Sequence, residues 1–128
     1  MSCGSQERGQ AGERAAAEWL ERQGCTILDR NVSFKVGELD LVAEDPEGVV
    51  LFVEVRARAP WAGRPGIEVA AASIGREKQA RWRRAARAYV SRHPRLMDRP
   101  LRFDVVVVGL DGQGRPHEIA HVPGVLEA

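Results

Sequence analysis

With 128 residues, 44% of them hydrophobic and 29% charged, the chain has the size and composition of one folded domain, which excludes wholesale disorder. Nineteen Lys and Arg against eighteen Asp and Glu leave a formal charge of +1, a balance that at first sight excludes a strongly basic nucleic-acid binder. Two cysteines, Cys3 and Cys25, exclude a disulfide framework, and with three scattered histidines they fit no zinc-ligand spacing.

The residues up to position 10 are polar, and no apolar run approaches the roughly 18 residues of a membrane span, so a cytoplasmic chain without membrane segments is expected. Residues 1–8 read as a flexible lead and residues 9–128 as a single domain. Residues 9–22 (GQAGERAAAEWLER) read as a first helix, with Gly12, Ala16, Trp19 and Leu20 at helical spacing and Gly24 as its stop. Glu13 stands three, four and seven positions before Ala16, Ala17 and Leu20, beside the apolar face. That placement suits a rim charge favoured by the helix dipole, or a carboxylate turned inward.

A short strand is expected at 26–30, a turn at Lys35-Val36-Gly37, and a second strand at 38–43 (ELDLVA), where strict alternation puts Glu38, Asp40 and Val42 on one face and Leu39 and Leu41 on the other. After a Pro/Gly turn at 44–48, residues 49–55 (VVLFVEV) have the composition of a central strand covered on both faces, forming a hairpin with the strand before it. Residues 58–66 form a Pro/Gly-rich loop carrying Trp61, which suits base stacking, a hydrophobic plug or a dimer contact. A long helix is predicted at 74–93, its inner stripe made of Ile74, Lys78, Trp82, Ala85, Ala86, Tyr89 and Val90, and Pro94 ends it. Residues 103–110 (FDVVVVGL) form another buried strand, and a weaker one lies near 117–122. The order α-β-β-β-α-β, with a last weak strand, defines an α/β fold with a central mixed sheet flanked by helices.

Glu54 sits in the middle of the most apolar strand, where a charge is costly unless it is paired or bound to a cation. Alternation places Val50, Phe52, Glu54 and Arg56 on one face, and normal hairpin pairing lets Asp40 and Glu54 project from the same side. Two facing carboxylates repel and raise a pKa unless positive charge separates them. A hard divalent cation, Mg²⁺ or Mn²⁺, meets that need and would polarise a phosphoryl oxygen and acidify a bound water. A structural ion pair of Glu54 with Arg56 or Arg58 accounts for the same spacing.

The segments GELDLVAED and LFVEVRAR, together with GERAAAEWL, Asn31, the helical KQARWRRAARAYV and the strand RFDVV, resemble the YraN-type family of small bacterial proteins. That family is similar to the PD-(D/E)xK restriction-endonuclease-like superfamily, and within it to archaeal Holliday-junction resolvases; the likeness runs from residue 9 to near residue 122. The resemblance implies a restriction-endonuclease-like core in which Asp40 and Glu54 bind the metal, the Val55 carbonyl and Glu13 complete the set, and Glu38 is an outer acid. Where the superfamily usually has Lys in its E-x-K element this chain has Arg56, whose guanidinium grips phosphate but is a poor general base. Lys78, which matches a lysine common in the family, is the first candidate to replace it, and Lys35 near the GELD turn is the second.

The near-zero net charge hides segregation. Residues 1–60 carry seven basic and eleven acidic side chains, whereas residues 76–102 carry ten basic and two acidic. Arg58, Arg76, Lys78, Arg81, Arg83, Arg84 and Arg87 are therefore the candidate DNA-binding residues, making sequence-independent phosphate contacts. The expected function is a divalent-metal-dependent endonuclease acting on DNA, with a preference for structured or branched DNA and a two-fold dimer on the strength of the resemblance. Because of Arg56, a catalytically impaired nuclease-fold module that binds or scaffolds DNA is the alternative. A protein-interaction domain whose arginine helix docks an acidic partner is the third.

Overall fold

The computed structural model describes residues 5–58 and 74–127. Trp61 and the loop around it lie outside the described residues, as does Cys3. The run of β-branched and aromatic residues after Gly48 forms β3 (Val50–Arg58) at the centre of a five-stranded sheet. Its neighbours are β2 (Gly37–Glu44), antiparallel to it, and β4 (Leu101–Leu110), parallel to it; β1 (Thr26–Phe34) and β5 (Pro116–Leu126) are the edges. The parallel β3–β4 pair requires a crossover, and α2 (Arg76–Ser91) lies within it. The helix α1 (Ser5–Arg22) precedes β1. This is the mixed α/β arrangement expected from the sequence, a central sheet flanked by helices in the order α-β-β-β-α-β with β5 added.

Alternation along β3 and β4 sorts the core into two layers. Val50, Phe52, Phe103, Val105 and Val107 pack against Trp82, Ala85, Ala86 and Tyr89 of α2. Leu51, Val53, Val106 and Val108 pack against Ala16, Ala17 and Leu20 of α1. The α2 layer is held by aromatic contacts, with ring centroids 5.6 Å apart for Phe52 and Phe103 and 5.1 Å for Trp82 and Phe103. Such pairs contribute about 0.5–1.5 kcal/mol each beyond their buried area.

Three differences from the expected elements have local causes. The helix α1 begins at Ser5, within the stretch read as a flexible lead. Gly12, which weakens its first turns on propensity, is buried, and a Cβ there would already stand 3.4 Å from that of Ala57, so its small size sets how closely α1 approaches β3. The strands β1, β3 and β5 run beyond their predicted ends because ladder pairing carries polar residues that alternation alone does not recruit. The alternation expected across β2 is wrong at Asp40: Leu39 joins Val42 in the α2 layer, whereas Leu41 joins Ala43 in the α1 layer. The described β2–β3 ladder starts at Leu41↔Val53, and the Asp40 carboxylate, not a backbone carbonyl, accepts the Val55 N–H at 2.9 Å. Opposite this point on β1, Asn31 adopts φ 53°, a left-handed conformation that Asn tolerates better than most residues.

Gly37 brings the β1–β2 hairpin tip onto α2. A Cβ at this position would come within 2.8 Å of the Arg81 carbonyl oxygen, and backbone gives way less readily than a flexible side chain. Gly37→Ala is therefore expected to cost about 1–3 kcal/mol in urea denaturation, and an unchanged midpoint would contradict this contact. Among the described residues no helix is long and apolar enough to cross a membrane.

Candidate metal and phosphate site

The hairpin tip, the splayed start of the β2–β3 pair and the first turns of α2 enclose a cleft of about 340 Å³. Glu38, Asp40 and Glu54 line it together with Lys78, Arg81 and Trp82, and Phe34, Lys35, Val36 and Gly37 form its hairpin wall. Asp40 and Glu54 thus face one space, and Lys78 reaches in from α2 with its Nζ 2.9 Å from Glu54 Oε2. A larger cleft of about 570 Å³ lies elsewhere, between α1 and β5, and contains none of the sequence-derived site residues.

Electrostatics single out Asp40. Burial pushes its carboxyl up to about 7, with Glu54 and Glu13 adding to the rise, while the Val55 N–H bond and Lys78 oppose it. Glu13 is also raised, first by burial and further by Glu38 and Glu54, against a hydrogen bond with Asn31 that lowers it. The fold therefore gathers Glu13, Glu38, Asp40 and Glu54 into one field of negative charge. Among the described residues no three Asp, Glu, His or Cys side chains converge closely enough to ligate a single ion. The donor chemistry still suits a hard cation, because Mg²⁺ is commonly held by one or two carboxylates and keeps waters or substrate oxygens as its other ligands.

Arg81 apart, the remaining candidates lie outside the lining of this cleft, Glu13 among them. Arg56 is half-buried on β3 opposite Val107, and Arg58 is half-buried at the end of that strand, with Nη1 3.3 Å from the Ala57 carbonyl. Glu54 is paired with Lys78 from α2, a partner that spacing within β3 does not reveal. Arg76, Arg81, Arg84 and Arg87 are exposed along α2, but Arg83 donates to the Glu127 carbonyl at 3.1 Å and leaves that row. The basic block is also smaller in effect than its composition, since Arg99 pairs with Glu44 and Arg102 pairs with Asp104.

Sequence reasoning missed Asp104. It is fully buried, yet accepts bonds from Arg102 Nε and Nη2 at 2.9 Å each and from the Gly124 N–H at 3.1 Å, and its Oδ2 lies 2.7 Å from His121 Nε2. The signal was available: an acid inside FDVVVV is as anomalous as Glu54 in its strand, and Arg102 shares its face by alternation.

The fold and the cleft define a mixed α/β protein with paired carboxylates at the point where two antiparallel strands separate. A model of the family described as uncharacterised protein family UPF0102 matches residues 12–108, and the chain belongs to that family. It is 43% identical over 101 residues to a UPF0102 protein of Thermosynechococcus vestitus, covering 78% of each chain. It is 44% identical over 124 residues to one of Myxococcus xanthus, covering 95% of this chain and 90% of the relative. A third relative, from Symbiobacterium thermophilum, is 46% identical over 114 residues, covering 87% and 91%.

Proposed function

We propose that this protein is a divalent-metal-dependent endonuclease that hydrolyses phosphodiester bonds in DNA, with structured or branched DNA as its substrate. The observation that carries the reading is the convergence of Asp40, Glu54 and Lys78 on one cleft from which the exposed arginines of α2 extend. Asp40 and Glu54 would hold Mg²⁺ or Mn²⁺ with the Val55 carbonyl as a further donor, and Glu13 and Glu38 would act as outer acids. The cation would supply Lewis-acid polarisation of a phosphoryl oxygen. Lys78 and Arg56 take the phosphate, and Arg58, Arg76, Arg81, Arg84 and Arg87 grip the flanking backbone, giving affinity that falls steeply with salt. A cytoplasmic setting and a two-fold dimer belong to the same reading.

Arg56 favours a second reading, in which the nuclease fold is kept as a non-cutting module that binds or scaffolds DNA, because a guanidinium stays protonated and cannot act as a base. Lys78 at Glu54 weighs against it by returning an ammonium group to the site. Calorimetric titration tests the metal site: wild type should bind Mn²⁺, and Asp40→Ala and Glu54→Ala should each abolish the heat of binding. Unchanged binding in both variants would remove the site.

A further inference from the structure

The Lys78–Glu54 contact is unequal. Lys78 keeps 44% of its side chain exposed while Glu54 keeps 14%, so the lysine covers, from the solvent side, a carboxylate that is otherwise largely enclosed. The cleft through which an ion would reach Glu54 is lined by Lys78 itself. An ion pair with one partner this exposed is weak, and an ammonium brings one charge where a divalent cation brings two. Asp40, in the same cleft, accepts the Val55 N–H through Oδ2, whereas the Lys78 ammonium sits directly on Glu54, so the positive charge supplied by α2 is directed first at Glu54.

We propose that Lys78 is a tethered counter-ion that regulates entry to the metal site: in the metal-free protein its ammonium holds the cation's place at Glu54, and a divalent ion displaces it. The inference rests on the metal-site reading above. Displacement turns the ammonium outward along α2, toward the exposed arginines, so metal loading and the presentation of a phosphate-binding lysine become one event. The long, half-exposed side chain can make that swing without moving the helix.

Mn²⁺ titrations of wild type, Lys78→Met, Arg81→Met and Asp40→Ala test this. Met keeps most of the lysine stem, and Arg81 lines the same cleft but contacts Glu77 instead, at 3.8 Å, so it controls for loss of a nearby charge. Lys78→Met should bind Mn²⁺ about three- to ten-fold tighter than wild type, with a clearly smaller gain in Arg81→Met. In wild type, acylation of Lys78 by an amine-reactive reagent should accelerate when Mg²⁺ is added, and in Asp40→Ala it should not. Equal gains in the two Met variants, or no gain in Lys78→Met while Asp40→Ala still abolishes binding, would overturn the counter-ion role and leave the metal site standing. Absence of Mn²⁺ binding in both wild type and Lys78→Met would overturn both. Binding in Lys78→Met alone would support the role in its strongest form.

Discussion

Asp104→Ala is expected to lower the folding stability by about 3–5 kcal/mol, the cost of removing one partner from a buried ion pair and leaving the other uncompensated. Asp104 ties β4 to β5 through three partners: Arg102 on its own strand, His121 on β5, and the Gly124 backbone where β5 shifts register against β4. Trp19 of α1 packs edge-on against the His121 ring, with centroids 5.3 Å apart, so the helix feels the same loss. Burial alone would raise the Asp104 carboxyl, but the bonds from His121, Arg102 and Gly124 outweigh it and hold the group below its ordinary value of 3.8. The stability it contributes is thus present above that value and is lost as pH falls through the lower folded-state pKa. Thermal or urea unfolding of the variant measures the effect, and a loss below about 1 kcal/mol would show that the network is ornamental.

Asp40 carries the opposite sign. Its carboxyl is raised from 3.8 to about 7, so its favourable contribution is complete below the lower value and is lost as pH rises through the upper one. Ionised Asp40 should then cost the metal-free protein about 1–2.5 kcal/mol at pH 8.5 relative to pH 5, since part of the shift is already felt at pH 5 and the rest is discounted for solvent screening. Asp40→Asn keeps an oxygen to accept the Val55 N–H while removing the charge. It should therefore flatten the pH dependence and leave the variant more stable than wild type at pH 8.5. Unfolding curves at the two pH values decide the matter, and identical pH dependence in both proteins would contradict the placement of this carboxylate. Stability surrendered for a charged cleft is the usual pattern at functional sites.

Much of the framework is legible in the sequence because burial writes itself into composition. Residues 49–55 and 103–110 are too apolar to be anything but central strands, and the stripe predicted for the long helix is buried at Trp82, Ala85, Ala86 and Tyr89 of α2, with Ile74 buried just before the helix, which spans Arg76–Ser91 instead of 74–93. The convergence of Asp40 and Glu54 follows from hairpin pairing and the anomaly of a charge in an apolar strand. Other features depend on contacts that local sequence does not encode. The face reversal at Asp40 arises where its side chain takes the Val55 N–H, across a loop, with Asn31 in a left-handed conformation on the neighbouring strand. The value of Gly12 and Gly37 lies in what stands opposite them, Ala57 in one case and the Arg81 carbonyl in the other. Arg83, Arg99 and Arg102 count toward the basic block by composition, yet each is engaged by an acceptor elsewhere in the fold.

The DNA cleavage proposed for the carboxylate cleft is open to a direct assay. Incubation of the protein with a labelled four-way junction and with a linear duplex of the same sequence, in Mg²⁺ or Mn²⁺, tests it most directly. Wild type should cleave the junction in preference to the duplex, chelation should stop the reaction, and Glu54→Ala should slow it by at least about 100-fold while still binding. Binding without cleavage by wild type, or equal cleavage by wild type and Glu54→Ala, would contradict the account.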